Sequence, residues 1–265
     1  MKDTNLLTNN GVNLQASLEL FGDMEIYEET LQDFLDGVGH KVDSIKRFKE
    51  NGDMANYAIL VHSLKSDARY LGFTKLAELA YDHELQSKAN NLYHVTDHFD
   101  ELMQETQRIV ALVKQYMNGE TAQVQTQTEN IAAPVVEDNK KTILVVDDST
   151  IIRNFIEKIF NETFKVVNAG DGREAIDIIN QGNEEIVGVL LDLNMPNVDG
   201  FAVLDYFKEH GLFTKFAVSI ITGEDTKDAI TRAFSYPIVD VLNKPFNERD
   251  IKRIVEKTIE YMNNK

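Results

Sequence analysis

The sequence predicts two architectures in series, an all-α four-helix-bundle domain followed by an α/β domain on a five-stranded parallel sheet. Three observations carry this. From Gly11 to Asn118 apolar residues recur at helical spacing, and this stretch holds no proline. From Lys140 onward, short runs of branched apolar residues alternate with helical stretches and end abruptly in polar side chains, as buried parallel strands do. Between the two, periodicity vanishes. The expected units are therefore a helical domain over residues 1–118, a tether over 119–139 and an α/β domain over 140–265.

In the first unit, a short helix is expected near Asn13–Phe21, then longer ones near Met24–Glu50, Asp53–Leu71, Thr74–Ala89 and Val95–Met117. Asp23, Asp53 and Thr74 are the expected N-caps, since a short polar side chain satisfies the open amides of a first turn. In the Asp53–Leu71 helix, Met54, Tyr57, Ala58, Val61, Leu64, Ala68 and Leu71 recur at three and four and mark the core face. His62, Lys65, Ser66 and Arg69 share the adjoining stripe. By spacing alone that stripe reads as a solvated face with an incidental histidine. His94 and His98, one turn apart with Asp97 between them, lack a third ligand and also read as a solvated pair. His40, His83 and His210 belong to no evident constellation.

The segment GETAQVQTQTENIAAPVVEDN is rich in Gln, Thr and Glu and carries no Lys or Arg. A coil of that length spans roughly 25 Å root-mean-square, which gives two joined domains a mutual concentration near millimolar.

In the α/β unit, strands are expected near 142–146, 164–168, 187–192, 216–221 and 239–242, with helices after Ser149, Asp171, Asp199, Glu224 and Asn247. Ligands of such sheets bind beyond the carboxyl ends of the strands, and those ends are chemically loaded here. ILVVDD finishes in Asp147 and Asp148, VLLDLNMP in Asp192, SIITG in Thr222, and VDVLNKPF in Lys244 before Pro245. Three carboxylates in one pocket repel unless a cation neutralises them, and hard oxygen donors without Cys or His point to Mg2+.

This set resembles the receiver domain of two-component response regulators over Lys140–Lys265. The resemblance implies a flavodoxin-like strand order 2-1-3-4-5 and a phosphoryl group accepted by Asp192. It also implies Mg2+ held by Asp148, Asp192 and the Asn194 carbonyl, with Asp147 acting through water. Lys244 and Thr222 would contact phosphoryl oxygens, and the Lys244–Pro245 bond would be cis. Asn194 and Glu224 stand where the family tunes hydrolysis, implying a short-lived phospho-aspartate. Val241 replaces the family's switch aromatic, and Pro237 and Ile238 also depart from its pattern, so the half reads more as phosphate acceptor or sink than as a switch. In the helical unit, His62-Ser-Leu-Lys-Ser-Asp-Ala-Arg-Tyr-Leu-Gly72 resembles the histidine phosphotransfer motif, and Leu18–Leu35 resembles that family's opening helices. That implies a phospho-accepting His62 that projects into water, Lys65 offsetting the phosphoryl charge, and Ser66 standing where the family prefers glycine.

Composition bounds the rest. The net charge of -17 offers no basic footprint for nucleic acid. No apolar run approaches the ~20 residues of a membrane helix, and the N-terminus lacks a signal-peptide pattern, so a cytoplasmic protein is expected. Zero cysteines exclude disulfides and thiolate sites. The expected function is a phosphorelay between His62, Asp192 and outside partners, a sensor histidine kinase and/or other receivers, with an external donor because no ATP-binding glycine-rich segment is present. A second reading is a non-relaying module in which Asp192 phosphorylation controls access to the bundle. A third, an aspartyl-phosphate hydrolase of the haloacid-dehalogenase type, requires the opposite order of nucleophile and acid pair.

Overall fold

The computed structural model describes residues 2–119, 140–182, 185–223 and 227–264. The expected tether therefore lies outside the described residues except for Gly119, as does Glu224.

Seven helices form the first half: α1 (Thr4–Thr8), α2 (Leu14–Phe21), α3 (Met24–Glu50), α4 (Met54–Tyr70), α5 (Thr74–Lys88), α6 (Leu92–Asp97) and α7 (Phe99–Asn118). Asp23 and Asp53 cap α3 and α4 as expected, their carboxylates accepting from the amides of Ile26 and Asn56. Three expectations are corrected. Thr74 is not an N-cap: α5 starts from Phe73 without a side-chain cap, because backbone pairing between Val12 and Phe73 and the Asn13 N–H to Gly72 O bond fix the chain there. Helix α1 was not expected; Asp3 caps it and it buries Leu7. The helix expected at Val95–Met117 is two, breaking at His98, and both Val95 and Phe99 are buried across the break. Gly72 is required, with φ +73 and a position where a Cβ would come within 2.5 Å of Asn13 O.

The second half contains β1 (Thr142–Val146), α8 (Thr150–Phe160), β2 (Lys165–Ala169), α9 (Gly172–Gln181), β3 (Ile186–Leu191), α10 (Gly200–Glu209), β4 (Val218–Thr222), α11 (Lys227–Ala233), β5 (Val241–Asn243) and α12 (Glu248–Asn263). All neighbouring strands pair parallel, in the order β2-β1-β3-β4-β5. The registers Val146↔Leu191, Leu191↔Ile220 and Thr222↔Asn243 bring the carboxyl ends to one edge. Four of the following helices begin on side-chain caps, from Ser149, Asp171, Asp199 and Asn247.

Alternation along the strands splits the apolar side chains between the two sheet faces. Leu144, Val146, Val189 and Leu191 pack with α9 and α10, whereas Ile143, Val145, Leu190 and Ile221 pack with α8 and α12. The second face does not end in solvent. Its apolar cluster continues into the core of the helical half through Phe21 and Tyr70 on one side and Phe155 and Phe246 on the other. Phe21 meets Phe155 edge-on with centroids 5.0 Å apart, and Tyr70 meets Phe246 at 5.7 Å. Burying each such ring stabilises by about 1.5–3 kcal/mol, so the junction holds the halves in a defined orientation.

Candidate functional site

Beyond the sheet edge, Asp147 follows β1, Asp192 follows β3, and Lys244 follows β5. The Asp192 N–H bonds to Val146 O at 2.8 Å, and the Lys244 N–H to Thr222 O at 2.9 Å, so neighbouring strands position each side chain. Gly200 closes the loop after Asp192; a Cβ there would stand 2.1 Å from Asp192 O, and only glycine fits. The Lys244 ammonium lies 2.5 Å from Asp192 Oδ2 and 2.6 Å from Asp147 Oδ2, all three groups being buried. Burial opposes the lysine charge, but Asp147 and Asp192 outweigh it and hold Lys244 above its ordinary pKa. Burial pushes the Asp147 carboxyl up to about 7 against the pull of Lys244. Asp148 is also raised by burial, with Lys41 of α3 opposing. Asp147, Asp148 and Asp192 can each place one carboxylate oxygen so that all lie within 4.8 Å of one another. Backbone amides brace two of them, Ser149 N on Asp147 Oδ1 at 3.0 Å and Asn194 N on Asp192 Oδ1 at 3.2 Å. The Lys244–Pro245 bond is cis. Val241 opens β5, half-buried opposite Ile220, so no aromatic ring occupies that place.

The second cluster sits on α4 and α5. His62 Nδ1 lies 2.7 Å from Glu84 Oε1, Lys65 Nζ is 2.5 Å from Glu84 Oε2, and Lys88 Nζ is 2.8 Å from Glu84 Oε1. Burial would raise the Glu84 carboxyl, but the His62 hydrogen bond and the neighbouring charges hold it well below the usual carboxylate range. An ionised carboxylate only accepts, so Nδ1 is the donor in the bond to Glu84, which leaves Nε2 as the ring's other nitrogen. Lys65, 3.2 Å from Nδ1, is then a neighbour of the ring, its hydrogen bond going to Glu84. Burial pulls its ammonium below the ordinary lysine value while Glu84 pulls the other way.

His62 does not project into water. It is 2% exposed, and Lys65 and Ser66 are buried beside it, with Gly223 of the α/β half facing His62 and Ser66, whereas Arg69 of the same stripe stays exposed. Its Nε2 is buried and has no hydrogen-bond partner. Gly223, next to Thr222 at the mouth of the acid pocket, faces it: a Cβ on Gly223 would stand 3.1 Å from Nε2 and 3.5 Å from Ser66 Oγ. His62 and Asn194 line one cavity of about 370 Å³. The bundle's histidine thus shares a cavity with Asn194, two residues beyond Asp192, and faces Gly223, the residue after Thr222.

The helical half matches the Hpt domain family over residues 25–115, and the α/β half matches the response regulator receiver domain family over residues 143–256. A probable methanogenesis regulatory protein FilR2 of Methanothrix harundinacea is 32% identical over 126 residues, 45% of this chain and 81% of that protein. The chain is an Hpt–receiver protein of two-component phosphorelay signalling. The rice two-component response regulator ORR11 (Oryza sativa subsp. indica) is 29% identical over 44% of this chain and 80% of its own length. A solved CheY-like receiver domain protein of Methanospirillum hungatei JF-1 is 25% identical, covers 47% of this chain and 98% of its own, and superposes with a TM-score of 0.43. The domain pair implies partners among kinases or other phosphorelay proteins. Among the described residues no helix is long and apolar enough to cross a membrane.

In the Hpt half, Glu84 is the residue that spacing did not reveal. It reaches His62 across the α4–α5 contact, 22 positions away in sequence. Three other histidines make structural contacts: His83 Nδ1 with Tyr57 OH at 2.7 Å, and His94 Nε2 with Asp82 at 2.6 Å while its ring stacks on His98.

Proposed function

We propose that one phosphoryl group travels between His62 of the Hpt half and Asp192 of the receiver half, with a sensor histidine kinase and/or other receiver proteins as outside donor and acceptor. The observation that carries this is the open Nε2 of His62, buried at the mouth of the acid pocket beside Gly223. An Asp192 carboxylate oxygen attacks the phosphorus of phospho-His62; the P–O bond forms as the N–P bond breaks. The electron pair of the broken bond returns to Nε2, and the imidazole leaves neutral because Nδ1 keeps its own proton, hydrogen-bonded to ionised Glu84. Lys244 meets the growing negative charge, with the Thr222 hydroxyl on a further phosphoryl oxygen. Such catalysis is positioning plus electrostatics, and the receiver half supplies both for its own phosphorylation and hydrolysis.

The donor set fits Mg2+. Asp147, Asp148 and Asp192 offer hard oxygens only, and with the Asn194 carbonyl they would hold the ion, which supplies positive charge opposite the phosphoryl oxygens. Asn194, with Glu224, sets the lifetime of phospho-Asp192. Ser66 narrows the docking ground, and Val241 leaves the receiver without an aromatic reporter, in keeping with a phosphate acceptor or sink. Units over 1–118 and 140–265 joined by a tether, in the cytoplasm where a kinase finds ATP, complete the reading.

The deciding experiment is to load the chain from a phosphorylated kinase and divide the label by acid and alkali. Label on His62 is acid-labile and alkali-stable, and label on Asp192 is lost in base. His62→Gln should remove the alkali-stable fraction and stop onward transfer; a variant that still relays would refute the assignment and favour a docking module. Gly223→Ala is expected to slow exchange between the two residues about tenfold, because its methyl carbon would press on the imidazole at 3.1 Å. Single-turnover quench-flow checks this, and phosphorylation of Asp192 by phosphoramidate should be little changed.

A further inference from the structure

The halves also meet through a polar cluster beside the transfer site, which shares with it only Asp148. Asp67, one turn beyond Ser63 on α4, is buried and accepts from Ser149 Oγ of the receiver half at 2.7 Å. Its other oxygen is held by the ammonium of Lys41 from α3, which also donates to Ser63 Oγ at 2.7 Å. Ser63 and Lys41 both favour the ionised form of the Asp148 carboxylate, against its burial. Nearby the Phe246 N–H donates to Tyr70 OH at 3.1 Å, and Lys158 of α8 pairs with Glu29 of α3 at the rim.

Buried charged groups cost free energy unless every member is satisfied. Lys41 satisfies one Asp67 oxygen from within the Hpt half, and Ser149 of the receiver half supplies the donor to the other. A foreign receiver lacking a hydroxyl at the Ser149 position would leave an Asp67 oxygen buried without a donor, a penalty that rejects the wrong partner. Meanwhile the same contacts bring Gly223 over His62.

We infer that Asp67 and Lys41 of the Hpt half, with Ser149 of the receiver half, form a specificity latch for this chain's own receiver, and that the closed latch withholds His62 from receivers of other chains. The inference rests on the assignment of His62 as the phosphoryl carrier. Its test, however, reads accessibility and needs no phosphoryl transfer, so the two fail separately.

The test is timed modification of the full chain by diethylpyrocarbonate with mass spectrometry of each histidine, the exposed His40 and His210 serving as internal standards. In the unaltered chain His62 should react at least about tenfold more slowly than His40, at a ratio independent of protein concentration. Asp67→Asn with Ser149→Ala should raise the His62 rate about tenfold, the loss expected for a charge-assisted hydrogen bond. Should that variant not fold by circular dichroism, the rim pair answers instead: Lys158→Glu should speed His62 modification, and adding Glu29→Lys should restore protection. Modification of His62 as fast as His40 in the unaltered chain overturns the latch. So does protection unmoved by either set of variants, and protection that falls on dilution would show that a second copy is the occupant.

Discussion

Asp192→Asn is expected to lower formation of alkali-labile label by on the order of 10³-fold or more, the usual scale when a nucleophile that acts within a unit is removed. Asparagine keeps the shape and can still turn its oxygen to Lys244, so the sheet edge should survive; what disappears is the charged oxygen proposed to attack phosphorus. With one of three crowded carboxylates gone, Asp147 retains Lys244 at 2.6 Å, and thermal stability without Mg2+ should fall little or rise. Once Asp67→Asn and Ser149→Ala open the latch, His62 of this variant should still accept label from a phosphorylated partner and hold it as acid-labile, alkali-stable label. Gel assay of the two label classes checks the result.

Lys244→Met has the largest expected effect on stability. It withdraws the cation from between two buried carboxylates, and breaking a buried pair from one side costs about 3–5 kcal/mol. For domains of this size that corresponds to a drop in Tm on the order of 10 °C. The sign of the pH dependence follows from Asp147, already raised from 3.8 to about 7 by burial and raised further once Lys244 is gone. A raised carboxyl binds its proton in the folded state where the unfolded chain has released it. Stability is therefore lost as pH climbs from about 4 through the folded value, and the variant should melt lower at pH 8 than at pH 6. Millimolar Mg2+ should recover part of the loss. Scanning calorimetry at both pH values, with and without Mg2+, measures all three effects; a variant as stable as the parent at pH 8 without Mg2+ would contradict the buried-pair account.

Much of this was legible in the residues. The strand-end side chains Asp147, Asp192, Thr222 and Lys244 follow apolar runs whose parallel register leaves one place for them to meet. The caps Asp23, Asp53, Ser149, Asp171, Asp199 and Asn247 announce their helices by local chemistry alone. Through-space pairing was not legible. Glu84 meets His62 only because α4 and α5 pack antiparallel, and no periodicity links positions 22 apart. Nor did spacing show that the His62 stripe is buried, since a polar face that meets solvent and one that meets another polar face look alike. Phe21, Tyr70, Phe155 and Phe246 each read as core of their own half, and their joint cluster appears only when the halves meet. Thr74 failed as a cap because the long-range bridge from Val12 to Phe73 overrode a local preference.

The central claim is that His62 and Asp192 exchange one phosphoryl group across the junction within a single chain. It is tested most directly by labelling Asp192 in a rapid-mixing experiment and following the appearance of alkali-stable label at protein concentrations spanning a hundredfold. The account predicts a first-order rate constant that does not change over that range. A rate that rises in proportion to protein concentration, or mixtures of His62→Gln and Asp192→Asn chains that exchange label as fast as the intact chain, would contradict it.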